Sequence, residues 1–90
     1  MIHPFGTEIN LEINRSKKAL KAAELLFKDT LFEDALSRSY YAILHAAKAV
    51  LLFENVKVES HDAVKRLFGF HLIKPGKIDK KFAIIVTNSL

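Results

Sequence analysis

Apolar positions along the chain recur every three or four residues, the spacing that gathers side chains on one side of an α-helix. Ile9, Ile13, Leu20, Ala22, Ala23, Leu26 and Phe27 trace such a stripe, with Arg15, Lys17, Lys18, Lys21 and Glu24 on the polar side. They predict a first helix from about Glu8 to Lys28. Asp29 and Thr30 interrupt the pattern. Thr30 and Glu33 have the spacing of a capping box, in which the hydroxyl accepts from the Glu33 amide and the carboxylate accepts from the Thr30 amide. The connection is therefore very short, and the first two helices are expected to form an antiparallel hairpin.

The second stretch, about Leu31 to Phe53, is apolar nearly all round. Leu36, Tyr40, Ile43, Ala47, Val50 and Leu51 share one broad face, and Arg38, Ala42, His45, Ala49 and Leu52 fall on the other. A helix of this kind is packed on more than one side. Ala35, Ala42, Ala46 and Ala49 allow a neighbouring helix to approach closely. Glu54 and Asn55 end the pattern, and Val56 to Glu59 reads as a short extended connection.

Ser60 is placed to N-cap a third helix over roughly His61 to Ile73, with Val64, Leu67, Phe68, His71 and Leu72 inward. Lys74-Pro75-Gly76-Lys77 reads as a turn, with Gly76 supplying the permissive dihedrals. Asp79 caps a fourth helix, Lys80 to Leu90, with Ile78 set to staple against Ala83. The expected fold is all-α: an antiparallel up-and-down bundle of about four helices in one domain over residues 1–90. The apolar pattern runs to the last residue through Phe82, Ile84, Ile85, Val86 and Leu90. That face needs a cover, either a second copy of the chain or further natural sequence.

Composition narrows the chemistry. No Cys is present, so disulfides and thiolate metal sites are excluded and a reducing cytosol is the expected setting. The net charge of +4 lies wholly in residues 56–90, where seven Lys/Arg face three Asp/Glu; residues 1–55 are balanced at seven each. A basic half suits an anionic partner, or is simply a solvated surface. The start has no signal-peptide pattern, and the longest apolar run, Ala42 to Phe53, contains His45 and Lys48 and falls short of the ~20 residues a membrane helix needs. No phosphate-cradling glycine loop, dinucleotide fingerprint or nucleophile elbow occurs, and no two of the four His lie at the i, i+4 spacing of a helical zinc site. No metal and no cofactor are expected.

Two constellations remain. Arg38 and His45 lie two helical turns apart, roughly 10 Å along the axis, with Tyr41 between them, so the three line one strip. Histidine can move a proton near neutral pH, and arginine can clamp phosphate oxygens and stabilise developing charge. The plainer alternative is that Tyr41 and His45 pack with their polar tips satisfied while Arg38 pairs with Asp34. The second constellation is His61 at a helix start with Lys65 and Arg66 close by, where free amides and positive potential suit an anion. An ordinary capped, solvated helix start is its alternative.

The run Asp34-Ala-Leu-Ser-Arg38-Ser-Tyr-Tyr41-Ala-Ile-Leu-His45-Ala-Ala-Lys-Ala49 resembles the hallmark second helix of the HEPN family. Ser60-His-Asp-Ala-Val64, Leu67-Phe-Gly69 and Lys74-Pro-Gly-Lys77 resemble the segments downstream of that helix in the small prokaryotic branch. The resemblance spans about Glu8 to Phe82. It implies an up-and-down helical bundle that dimerises and is associated with nucleotide or RNA chemistry. Many relatives are partners of a minimal nucleotidyltransferase, often in toxin–antitoxin pairs. Several are metal-independent ribonucleases whose Arg and His are separated by four to six residues; Arg38 and His45 have six between them. Nuclease members usually carry Asn, Asp or His directly after the Arg, where this chain has Ser39, and their motif tends to lie on a later helix. Family members also have one more C-terminal helix than the four read here.

The expectation is thus a cytoplasmic homodimer, with no membrane association, forming the helical half of a two-component, toxin–antitoxin-like system with a minimal nucleotidyltransferase. In it Arg38, Tyr41 and His45 face a groove between subunits and, with His61, Lys65 and Arg66, contact nucleotide or RNA. One alternative is a metal-independent endoribonuclease with Arg38 and His45 catalytic. The other is a non-catalytic interaction module whose basic stretch, Lys65 to Lys81, docks an acidic partner.

Overall fold

The computed structural model describes residues 3–68 and Gly76, and all the regular elements among them are α-helices. Helix α1 spans Gly6–Lys28, α2 spans Phe32–Phe53 and α3 spans His61–Phe68. The first two pair as the expected antiparallel hairpin, and α3 returns along α2. The third helix beyond Phe68, the fourth helix, its Asp79 cap and the Ile78–Ala83 staple lie outside the described residues. Gly76 sits in a turn with φ +78°, the left-handed dihedral anticipated for it.

The turn into α2 is built differently from the expected capping box. Thr30 adopts φ +61°, and its hydroxyl donates to the Asp29 carbonyl at 2.6 Å rather than accepting from Glu33. The residue before α2 is Leu31, with no side-chain cap. The main chain closes the end of α1 instead: the Thr30 amide donates to Phe27 O at 3.0 Å and the Leu31 amide to Leu26 O at 2.9 Å. That pair of bonds is a Schellman motif, which satisfies two of the carbonyls orphaned at the helix end. Competition between the two ends explains the failed expectation, because Thr30 serves as the left-handed terminator of α1 and cannot also cap α2.

The same device ends α2. Asn55 takes φ +62°, its amide donates to Leu52 O, and the Val56 amide donates to Leu51 O. Val56 then packs onto the core beside Leu51, the apolar contact that accompanies this motif. A further orphan, the Phe53 carbonyl, accepts from His3 Nε2 at 2.8 Å. His3 Nδ1 in turn accepts from the Phe5 amide at 3.0 Å, so the proton belongs on Nε2, and the ring stacks on Phe53 with centroids 5.5 Å apart.

Along the α1–α2 seam small and polar residues are buried beside Leu52, while much of the bulky stripe stays exposed. Glu12 and Ala23 of α1 are buried, as are Ala35, Ala42 and Ala49 of α2, and Ser16 Oγ donates to the Ala42 carbonyl at 2.7 Å. Alanine faces let the helix axes come close. The largest buried side chains cluster elsewhere, where α3 meets α2: Leu51 and Val64 are sealed, with Leu44, Ala47 and Phe68 around them. Ser60 Oγ accepts from the Ala63 amide at 3.1 Å and caps α3 as its sequence suggested. Phe27, Phe32, Leu36 and Phe53 of the apolar stripes are exposed, Leu36 at 73%, and help to line two apolar clefts of about 550 and 480 Å³.

A β-branched residue in the left-handed region costs ~1–2 kcal/mol, of which glycine gives back ~0.5–1 in backbone entropy. Thr30→Gly is therefore expected to stabilise the chain by roughly 0.5–1 kcal/mol. Urea unfolding followed by circular dichroism measures this, and a lowered midpoint would contradict it.

Candidate functional site

Residues 38, 41 and 45 succeed one another at spacings of three and four, so α2 presents Arg38, Tyr41 and His45 along two turns of one strip. Opposite them, α1 contributes Arg15 and Lys18, with the small side chains of Ala19 and Ala22 leaving room between. Together these residues line an open groove of about 400 Å³. The groove is walled by two helices of one chain, so its formation does not wait on a second subunit.

Arg38 is exposed and has no ion-pair partner among the described residues; Asp34, one turn earlier, does not hold it. Tyr41 is 44% exposed and meets the Tyr40 ring edge-on, with centroids 5.7 Å apart. His45 is half-buried, and its Nδ1 lies 2.6 Å from Glu12 Oε2. A carboxylate only accepts, so Nδ1 carries the hydrogen, and the neutral ring keeps its lone pair on Nε2.

Glu12 is 8% exposed, the buried charged side chain of the described residues. A carboxylate removed from water is costly unless both oxygens find donors. Oε2 takes His45, and Oε1 accepts from Arg15 Nη1 at 2.8 Å. Arg15 itself is half exposed, so its guanidinium spans the buried carboxylate and the open groove.

Chemically the groove offers fixed positive charge on Arg15, Lys18 and Arg38, a phenol, and an imidazole whose tautomer is held by a buried acid. Cations confined to one cleft raise the local concentration of anions, and guanidinium forks match phosphate oxygens two at a time. An imidazole with a constrained Nδ1–H and an available Nε2 can accept a proton there and return it.

The second expected constellation is not part of this groove. Lys65 and Arg66 are exposed on α3, which buries Val64 and Phe68 against Leu44, Ala47 and Leu51, a different side of α2 from Arg38, Tyr41 and His45. His61 opens α3, and at that helix start the Ala63 amide is taken up by Ser60. Among the described residues no group of His, Asp and Glu is arranged to hold a metal ion, and no helix is long and apolar enough to cross a membrane.

Neither Glu12 nor Arg15 stands out in the sequence as a site residue. The available signal was an acid in line with Ser16, Ala19, Ala23 and Leu26, which places a charge on the helix-contact seam. Beyond Arg15 the site continues into a second cavity of about 240 Å³. It shares Glu12 and Arg15 with the surroundings of the groove and adds Glu8, Leu11, Lys48, Leu52, Lys57, Val58 and Glu59. Lys57 Nζ lies 3.6 Å from Glu8 Oε2 across its mouth.

Removing the Glu12 carboxylate leaves His45 Nδ1 and Arg15 without their acceptor. Glu12→Ala is expected to cost about 1–3 kcal/mol in stability and to redistribute the imidazole hydrogen between Nδ1 and Nε2, whereas Glu12→Gln, which keeps a carbonyl acceptor, retains Nδ1–H. Nitrogen-15 NMR of the histidine ring reads the tautomer directly; an unaltered His45 spectrum in Glu12→Ala would refute the assignment.

The pattern of the HEPN domain matches residues 10–87. A Methanocaldococcus jannaschii protein named "Putative toxin MJ0605" is 39% identical over 82 residues, covering 91% of this chain and 61% of the relative. The Pyrococcus horikoshii protein "UPF0332 protein PH1297" is 35% identical over 82 residues, covering 91% and 58%. A second M. jannaschii protein, "Putative toxin MJ0142", is 31% identical over 75 residues, covering 83% and 51%. The chain thus spans between half and about six-tenths of the length of these relatives. No solved structure gives a significant match.

Proposed function

The chain belongs to the HEPN family, and from that premise we propose that it acts in the cytoplasm as the nucleotide- or RNA-associated helical component of a two-component, toxin–antitoxin-like system whose other half is a minimal nucleotidyltransferase. The observation that carries this reading is the groove lined by Arg15, Lys18, Arg38, Tyr41 and His45. Its cations suit phosphate oxygens, and the exposed Tyr41 ring offers a face on which a base can stack. Two relatives that carry toxin in their names lend support to the two-component setting. Nucleotidyltransferase partnership and a homodimer come from the family resemblance in the Arg38-to-His45 helix and its surroundings.

A second reading is favoured by one specific contact, the bond from His45 Nδ1 to the buried Glu12. It is the arrangement by which an acid fixes a histidine for proton transfer. On this reading the protein is a metal-independent endoribonuclease. His45 Nε2 takes the proton of a ribose 2′-hydroxyl, the 2′-oxygen bonds to phosphorus, and the P–O5′ bond breaks. The products are a 2′,3′-cyclic phosphate and a 5′-hydroxyl that regains a proton. Arg38 and Arg15 stabilise the charge gathering on the phosphoryl oxygens.

Under both readings single-stranded RNA binds with an affinity that falls as salt rises, and Arg38→Ala weakens binding while lowering the slope of log affinity against log salt by about one. Fluorescence anisotropy across a salt series measures it, and salt-independent or absent binding would defeat both. The readings part at chemistry. If the protein is a nuclease, it cleaves RNA in the presence of chelator, and His45→Ala abolishes cleavage while the far-ultraviolet circular dichroism is retained. An inert wild type that binds RNA and co-purifies with a nucleotidyltransferase supports the first reading alone.

A further inference from the structure

The smaller cavity beside the groove has a composition of its own. Leu11, Leu52 and Val58 give it apolar wall, while Glu8, Glu12, Glu59, Lys48 and Lys57 supply charge. Most of that charge is already committed. Both oxygens of Glu12 are engaged by His45 and Arg15, and Glu8 is paired with Lys57 at 3.6 Å. Two groups are left uncommitted among the described residues: the Glu59 carboxylate and the half-buried Lys48 ammonium. The cavity therefore offers an apolar contact, one bidentate acceptor and one donor, next to a guanidinium, Arg15, that also lines the groove.

We propose that this cavity is a nucleobase site selective for guanine, seating the base of a nucleotide whose phosphate is held in the neighbouring groove; the inference rests on the reading of that groove as a phosphate site. Guanine is the base whose edge presents two adjacent N–H donors, N1–H and the N2 amine, beside a carbonyl acceptor, O6. A carboxylate receives the two donors together, and an ammonium donates to O6. Adenine, cytosine and uracil each present one donor at the corresponding edge, so each leaves one Glu59 oxygen without a partner. The apolar wall takes the face of the ring, as base-binding sites generally do. Arg15 links the two compartments: bound to Glu12 behind, it faces the phosphate on one side and the base on the other, so a single nucleotide can occupy both.

The test compares a short fluorescein-labelled oligouridylate with the same oligomer carrying one guanosine, measured by anisotropy on the whole chain. A bidentate carboxylate contact is expected to favour the guanosine oligomer by about tenfold. Glu59→Gln, an isosteric change at an exposed position, should bring the ratio of the two affinities close to one. Equal binding of both oligomers by the wild type overturns the guanine site while leaving the groove reading intact, provided that binding is salt-dependent. A preference that persists undiminished in Glu59→Gln overturns the assigned contact. If neither oligomer binds, the groove reading falls and takes this inference with it.

Discussion

One carboxylate governs how the two long helices meet. Glu12 lies almost out of water where α1 crosses α2, and its burial is tolerable only because His45 and Arg15 each supply a hydrogen to one oxygen. Those two partners also line the cavities of the candidate site, so the register of the hairpin and the orientation of the site are set by a single requirement. Sliding α1 by one residue against α2 would leave an uncompensated charge at the seam and swing Arg15 out of the groove. The Ser16 bond to the Ala42 carbonyl, one turn along α1, holds the same register without charge.

The helix ends carry the rest of the architecture. Both α1 and α2 finish with a left-handed residue, Thr30 and Asn55, each succeeded by an apolar residue whose amide reaches back into the last turn. Terminators of this kind reverse the chain sharply without glycine, and they fix the angle at which the next segment leaves. After α2 the chain is directed so that Val56 and Val58 cover the core and Glu59 and Lys57 reach the rim of the smaller cavity. The His3 ring closes the remaining carbonyl at the same helix end, tying the start of the chain to it.

Much of this architecture is legible in the residue pattern. The three helices and the strip formed by Arg38, Tyr41 and His45 arise from helical periodicity, which depends only on local geometry. The Ser60 cap is readable because its competitor interactions are few. The Thr30–Glu33 box misleads because two helix ends claim the same residue, and the backbone bonds that decide between them leave no mark in the sequence. Bulky Leu20, Phe27 and Leu36 mark the apolar stripes yet are exposed, whereas alanines, a serine and one acid, with Leu52, lie along the contact seam. Glu12 escapes notice for that reason: Arg15 is a neighbour on the same helix, but the histidine that gives the acid its role is thirty-three positions away, beyond what spacing rules see. His61, Lys65 and Arg66 group with the site by charge alone, which carries no information about direction.

The walls of the groove are α-helical throughout, with Arg15 and Lys18 on one and Arg38, Tyr41 and His45 on the other. Helices joined by close alanine contacts behave as a stiff frame, unlike the loops on which many sites are mounted. The gap between the facing groups is accordingly an inter-axis distance, and it varies with the girth of the seam residues. Binding at such a cleft requires little ordering of the backbone, so the entropy lost on association falls chiefly on the side chains and on the incoming ligand.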